Sequence, residues 1–132
     1  MTDILVDTSA YSAGAKGHQR VRAVMERAAA IFFNPAVLGE LQAGFLRGSR
    51  RAENEETLRS FLGAPRVRVL DITAETARRY AVILSQLRDA GTPLPVNDVW
   101  IAASAMEYGL TLLTTDSHFL RVRQILVEFA PP

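Results

Sequence analysis

Apolar and polar positions along this chain follow two alternating periods. Ile4-Leu5-Val6 is a short unbroken apolar run, the signature of a strand buried on both faces in a parallel sheet. Ile31-Phe32-Phe33, residues 67–72, Leu110-Thr111-Leu112-Leu113-Thr114-Thr115 and residues 125–129 read as further strands, β-branched and apolar. Between them the period lengthens to that of a helix. Val21, Val24, Met25 and Ala28 make an apolar stripe in residues 17–30, and Val37, Leu41 and Phe45 make one in residues 35–46. Residues 50–62 form a charged amphipathic helix, and residues 73–90 a long one with Ala77, Tyr80, Ala81, Leu84 and Leu87 inward. A last helix follows Pro93 and Pro95, with Asn97 as its N-cap and an inward stripe of Ile101, Ala105 and Tyr108, and Gly109 stops it. Strands that alternate with helices in this way predict an α/β fold with a parallel sheet.

Within that frame, four acids stand at informative positions. Asp7 ends the first strand and Asp116 directly follows the strand over residues 110–115. Ligands of open α/β sheets bind outside the carboxyl ends of the strands, so both acids fall where such folds place their active sites. Glu40 lies three residues after Val37 and so borders the core-facing side of its helix, where an unpaired carboxylate costs several kcal/mol or shifts its pKa. Asp98 opens the last helix and shares the inward stripe through Ile101.

Each acid also has a local explanation. An Asp after a strand is commonly a turn or cap residue, and a helix dipole favours an acid at Asp98 without any function. The set carries more weight than its members. Four carboxylates within a few ångströms repel by roughly 1 to 4 kcal/mol per pair, an arrangement that makes sense with cations present. Oxygen donors without Cys or clustered His favour Mg²⁺ or Mn²⁺ over zinc. Such ions serve phosphoryl transfer or phosphodiester hydrolysis, where they orient and activate a water and stabilise the leaving oxygen.

The segments Ile4-Leu5-Val6-Asp7-Thr8-Ser9, Pro35 to Glu40-Leu41, Asn97-Asp98-Val99-Trp100-Ile101-Ala102-Ala103 and Leu113-Thr114-Thr115-Asp116-Ser117-His118-Phe119 together resemble the PIN domain family, and within it the VapC-type toxin ribonucleases of toxin-antitoxin pairs. The four motifs stand in the family's order and span nearly the whole chain. The resemblance implies a single PIN-like domain over residues 1–132, an α/β/α sandwich around a mainly parallel sheet. It also implies that Asp7, Glu40, Asp98 and Asp116 form a catalytic metal site for Mg²⁺, with Mn²⁺ able to substitute, that cleaves RNA internally to 5′-phosphate and 3′-hydroxyl ends. Asp116 would act directly or through water. The implied partners are an RNA substrate such as transfer or ribosomal RNA, a VapB-type antitoxin covering the groove, and a second copy in a homodimer.

Composition narrows the chemistry. The chain has 132 residues, 48% of them hydrophobic, enough for one sizeable core. No apolar run approaches the roughly 20 residues that span a bilayer and no signal-peptide pattern opens the chain, so the expected location is the cytoplasm. Zero cysteines exclude disulfides, thiolate metal sites and cysteine catalysis. A net charge of +1 looks neutral for an RNA binder, but Lys16 is the single lysine and arginine supplies nearly all the positive charge. Arginine engages phosphate bidentately and stacks on bases. Arg20, Arg22, Arg47, Arg50, Arg51, Arg78, Arg79, Arg121 and Arg123 are the candidates.

Thr8, Ser9, Asn97 and Thr115 could hydrogen-bond the ligating carboxylates, or else serve as caps and strand ends. His118 follows Asp116 in a loop, but a metal-activated water needs no imidazole base. Turn formation and solvation account for Asp71 and Asp89, and a solvated helix face for Glu53, Glu55 and Glu56. Phe45, Leu46, Leu58 and Phe61 are more apolar side chains than their helices need bury, so some are available to an interface. Two other readings compete. A Mg²⁺-dependent phosphoryl-transfer domain also places aspartates after parallel strands, but Thr8-Ser9 follows Asp7 where haloacid-dehalogenase-like phosphatases have Asp-x-Asp, and no lysine follows a late strand as in receivers. A non-catalytic PIN-like module would bind RNA or protein in the same groove without cutting.

Overall fold

A computed structural model of the chain describes residues 2–132. Five strands form one sheet: β1 (Asp3–Val6), β2 (Ala30–Phe33), β3 (Val67–Val69), β4 (Thr111–Thr114) and β5 (Leu126–Phe129). They lie in the order β3-β2-β1-β4-β5, and all four pairings are parallel. Six α-helices connect them: α1 (Thr8–Ala15), α2 (Gln19–Arg27), α3 (Pro35–Arg47), α4 (Arg51–Leu62), α5 (Ala74–Asp89) and α6 (Val96–Tyr108). A 3₁₀ turn at Ser117–Arg121 precedes β5.

The strand order has one reversal, and it fixes where a ligand can enter. From β1 the chain steps to β2 and then β3 in one direction, then crosses back past β2 and β1 to β4. Parallel crossovers are right-handed, so steps in opposite directions send α1–α4 and α5–α6 to opposite faces. The crevice therefore opens between the carboxyl ends of β1 and β4, the switch point of the sheet. The central strands are buried on both sides: Leu5, Val6, Leu112 and Leu113 have no exposed surface. This is the burial that an unbroken apolar run requires.

One face is organised by aromatic rings. Tyr11 of α1, Phe33 of β2 and Phe61 of α4 meet pairwise edge-on, each pair with centroids 5.9 Å apart. Phe61 and the buried Leu58 thus serve the core, while Leu46 is left exposed. On the other face α5 packs along α6, with Tyr80 stacked on Trp100 at 4.2 Å. Thr73 caps α5 in a reciprocal box with Thr76, whose hydroxyl also donates to Glu107 of α6 at 2.6 Å.

Several local expectations give way to tertiary context. In α5 the inward line is Thr76, Ile83 and Leu87, with Tyr80 and Leu84 half-buried, whereas Ala77 and Ala81 are exposed. The bonds of Thr76 turn that residue inward and rotate the stripe away from the alanines. α6 begins one residue before Asn97: Pro95 occupies the cap position and its carbonyl accepts from Val99 N. Asn97 is exposed in the first turn, and Tyr108 is 44% exposed. Because Ile101, Ala102, Ala103, Ser104 and Ala105 are all buried, α6 has no single inward stripe for Tyr108 to extend. β3 ends at Val69, for Leu70 N makes the last bond to β2 at Phe33 O, and Asp71 and Ile72 are exposed. α2 is confined to Gln19–Arg27, with His18 as its cap through a ring nitrogen that accepts from Val21 N.

Phe33 is fully buried at the centre of the aromatic group. Replacing it with Ala should cost about 3–5 kcal/mol in denaturant unfolding, the range for a large aromatic deleted from a packed core. A loss under about 1 kcal/mol would show that the three rings do not hold this face together.

Candidate active site

Asp7 is the most constrained of the acids. It follows β1, continues the ladder through its N–H to Leu113 O at 3.2 Å, and is the N-cap of α1. Only 3% of it is exposed. Its Oδ1 accepts from Ala10 N at 2.8 Å and from the Ser9 hydroxyl at 2.8 Å, and its Oδ2 from the Thr114 hydroxyl at 2.6 Å. Burial pushes the carboxyl pKa up and the charge of Asp116 adds to this, while the bonds from Thr114, Ala10 and Ser9 pull the other way. Burial prevails.

The hydroxyls around Asp7 tie β1 to the end of β4. Thr115 N donates to Ser9 Oγ at 3.1 Å and Asp116 N to Thr114 Oγ1 at 2.9 Å. Asp116 in turn caps the 3₁₀ turn, accepting from His118 N at 2.9 Å, and its Oδ1 stands 3.1 Å from His118 Nδ1. Glu40 comes from the second turn of α3, half-buried, and its Oε1 accepts from the Thr8 hydroxyl at 2.6 Å. The N-terminus of α3 is capped by Asn34, with Pro35 in the first turn, the combination that starts a helix sharply. Asp98 lies in the first turn of α6, also half-buried.

Electrostatics shows that the four acids share one region. The Asp98 carboxyl is raised from 3.8 to about 6, first by burial and then by the charges of Glu40, Asp116 and Asp7, with His118 acting in the opposite sense. Four elements far apart in sequence therefore bring their carboxylates into a common negative field. Among the described residues, however, no three Asp, Glu, His or Cys side chains close on one point as an ion would require. Two clefts of about 600 and 680 Å³ contain none of the four acids.

Of the supporting residues predicted from sequence, Thr8 and Ser9 bond carboxylates directly. Among the described residues, Thr115 reaches the site only through its backbone N–H, and Asn97 makes no hydrogen bond with its side chain. Two residues were missed. Thr114, fully buried, supplies the shortest bond to Asp7, and Asn34, also fully buried, joins α3 to α6. The signal for Asn34 was its place before Pro35, an N-cap pattern; nothing local distinguishes Thr114 from Thr115.

The family profile of the PIN domain matches residues 4–125. The chain belongs to the PIN domain family. Ribonuclease VapC4 of Mycobacterium tuberculosis is 33% identical over 90 residues, 68% of this PIN domain chain and 69% of the relative. Ribonuclease VapC5 of the same organism is 27% identical over 115 residues, 87% of this chain and 84% of its own. These relatives place this PIN domain among the VapC-type proteins. Among solved structures, DNA-bound VapBC from Salmonella typhimurium superposes with a TM-score of 0.85 at 24% identity, covering 97% of this chain and 98% of that one. The VapBC-5 toxin-antitoxin structure from Mycobacterium tuberculosis gives 0.77 at 25% identity over 100% of both chains. The fold, down to the parallel sheet, is that of the VapC structures.

The raised Asp98 pKa fixes the sign of a pH dependence. A group whose folded pKa lies above its unfolded value adds stability that is fully present below 3.8 and lost as pH rises through about 6. In EDTA the unfolding free energy of the PIN domain should therefore fall between pH 4 and 7. Asp98→Asn should flatten that fall and be more stable than the parent at pH 7 by roughly 1 kcal/mol, after discounting for solvent screening. Parallel pH profiles for the two proteins would refute the assignment of the field to Asp98.

Proposed function

We propose that this PIN domain is a divalent-metal-dependent endoribonuclease of VapC type, inhibited by a cognate VapB-type antitoxin. The observation that supports the reading is the common field at the switch point of the sheet: Asp98, raised first by its burial, is raised further by the charges of Glu40, Asp116 and Asp7. An all-oxygen donor set in a concentrated negative field fits a hard cation, Mg²⁺ with Mn²⁺ as a substitute. The match to proteins named ribonucleases supplies the substrate class, RNA.

The residues divide the work by their rigidity. Asp7 is held by three donors and provides the fixed carboxylate against which a cation is placed. Glu40 and Asp98, on separate helices, would contribute the side-chain carboxylates whose mutual repulsion a bound cation would offset. Asp116 completes the pocket directly or through water, oriented by the backbone of the 3₁₀ turn. A bound divalent ion would supply charge neutralisation at the scissile phosphate and activation of a water. In the hydrolysis, water oxygen bonds to phosphorus as the P–O3′ bond breaks, and the proton released ends on the departing 3′ oxygen. The products carry 5′-phosphate and 3′-hydroxyl ends.

VapBC complexes among the structural neighbours support an antitoxin partner, and an antitoxin arginine entering the acidic pocket would neutralise it in place of metal. A homodimer in the cytoplasm completes the reading; among the described residues no helix is long and apolar enough to cross a membrane. A second reading, a PIN-like module that binds without cutting, draws on the observation that no three acids close on one point.

End-mapping of total cellular RNA incubated with antitoxin-free protein separates the two. Cuts at few sites are expected with Mg²⁺ or Mn²⁺ and none with EDTA. Asp7→Asn should keep the fold, because an amide oxygen still accepts from Ala10 N and Asn is a good N-cap. Its cleavage should fall by roughly 100-fold or more, the scale on which loss of a charge-stabilising group is felt. Metal-independent RNA binding with no new termini would establish the module instead. Full cleavage by folded Asp7→Asn would remove Asp7 from the site.

A further inference from the structure

Glu40 and Asp98 arrive on different helices, and a shared ion demands that α3 and α6 keep a fixed distance and rotation. Apolar contact alone does not set this, because hydrophobic burial is non-directional. The hydrogen bonds supply one tie. Asn34, with no exposed surface, points its Oδ1 at Ala36 N, 2.6 Å away, as the cap of α3. Its Nδ2 donates to Ser104 Oγ at 2.6 Å and to Trp100 O at 3.2 Å, both in α6. The amide cannot be reversed, since its oxygen faces a backbone donor and its nitrogen faces a carbonyl. Asn34 lies six residues before Glu40, and Trp100 two residues after Asp98, each pair joined by continuous helix. Among the described residues no other hydrogen bond or ion pair links α3 or its cap to α6.

We infer that Asn34 is a positioning residue of the acidic site: by capping α3 and bonding α6 with the same amide, it sets Glu40 relative to Asp98. The inference rests on the metal-site reading above for its consequence, though not for its geometry. A side chain that only capped α3 would need an acceptor oxygen and nothing more. Serine or aspartate would serve as well there. The asparagine adds donors that reach the other helix, and one of their targets, the Ser104 hydroxyl, is fully buried, where a free polar group is costly. The position is thus specified by both helices at once. Partners bonded directly to ligating residues typically affect metal affinity by about 10- to 100-fold, and a tie that acts through two helices is expected at the lower end of that range.

The test uses Asn34→Ser in the full chain combined with Ser104→Ala, which keeps a capping oxygen, breaks the tie to α6 and leaves no orphaned hydroxyl. The chain has no cysteines, so spin labels can be placed uniquely at cysteines replacing the exposed Gln42 of α3 and Tyr108 of α6. The distance distribution between them should broaden in the variant, and Mn²⁺ affinity measured by electron paramagnetic resonance should fall about 10-fold or more. Thr73→Ala, which removes a helix cap remote from the acids, is the control: it should lower the melting temperature without changing either readout. An unchanged distance distribution would overturn the inference, and so would a broadened one with undiminished Mn²⁺ affinity. If the parent protein bound no Mn²⁺, the metal-site reading would fall, and the distance distribution would still decide whether Asn34 fixes the helices. Should the double variant fail to fold, Ser104→Ala alone removes one leg of the tie and should broaden the distribution to a smaller degree.

Discussion

A carboxylate that is 3% exposed must be stabilised from within the protein, and the bonds that do this for Asp7 organise the whole site. Ala10 N reaches it from the first turn of α1, Ser9 from the same turn, and Thr114 from the end of β4. Each donor is itself placed by secondary structure. The pairing of β1 with β4 puts Thr114 beside Asp7, and the start of α1 directly after β1 puts the two N-terminal donors there. Loss of the β1–β4 pairing would take Thr114, the donor at 2.6 Å, away from the buried acid. The fold and the charge are therefore one problem with one solution.

The remaining acids are less restrained, and this difference suits their proposed parts. Among the described residues Glu40 has a single hydroxyl partner, Asp98 makes no hydrogen bond with its side chain, and Asp116 is engaged at the mouth of a 3₁₀ turn. Asp98 is raised first by its burial and then by the charges of Glu40, Asp116 and Asp7. A rigid carboxylate facing adjustable ones lets a cation complete the geometry without remaking the core.

The helices that carry Glu40 and Asp98 belong to opposite sides of the sheet and meet where α3 leaves β2. Asn34 stands at that junction, fully buried with its amide bonded on both sides. Elsewhere the two sides are built differently. Three edge-on aromatic rings fill the space beneath α1 and α4, while α5 and α6 lie along each other through a stacked Tyr80–Trp100 pair and a Thr76–Glu107 bond.

The sequence by itself determined the five strands and five of the six helices, and it singled out the candidate acids; the short helix α1 and the 3₁₀ turn carry no apolar stripe to mark them. Ile4-Leu5-Val6 and Leu112-Leu113 have no polar face to offer solvent, which marks them as interior strands and puts Asp7 and Asp116 at or just beyond their carboxyl ends. Glu40 was legible because helical spacing put it beside Val37 and Leu41. Features that depend on long-range pairing were not legible. Strand order decided that Thr114, and not Thr115, turns inward to Asp7, since side chains alternate along a strand and only the register with β1 chooses which one faces the acid. Packing of α5 against α6 turned Thr76 inward and Ala77 out, and a helix buried nearly all round left Tyr108 no stripe to follow. Local pattern carries the period of burial. Only the assembled structure fixes its phase, because the phase is set by neighbours brought from distant parts of the chain.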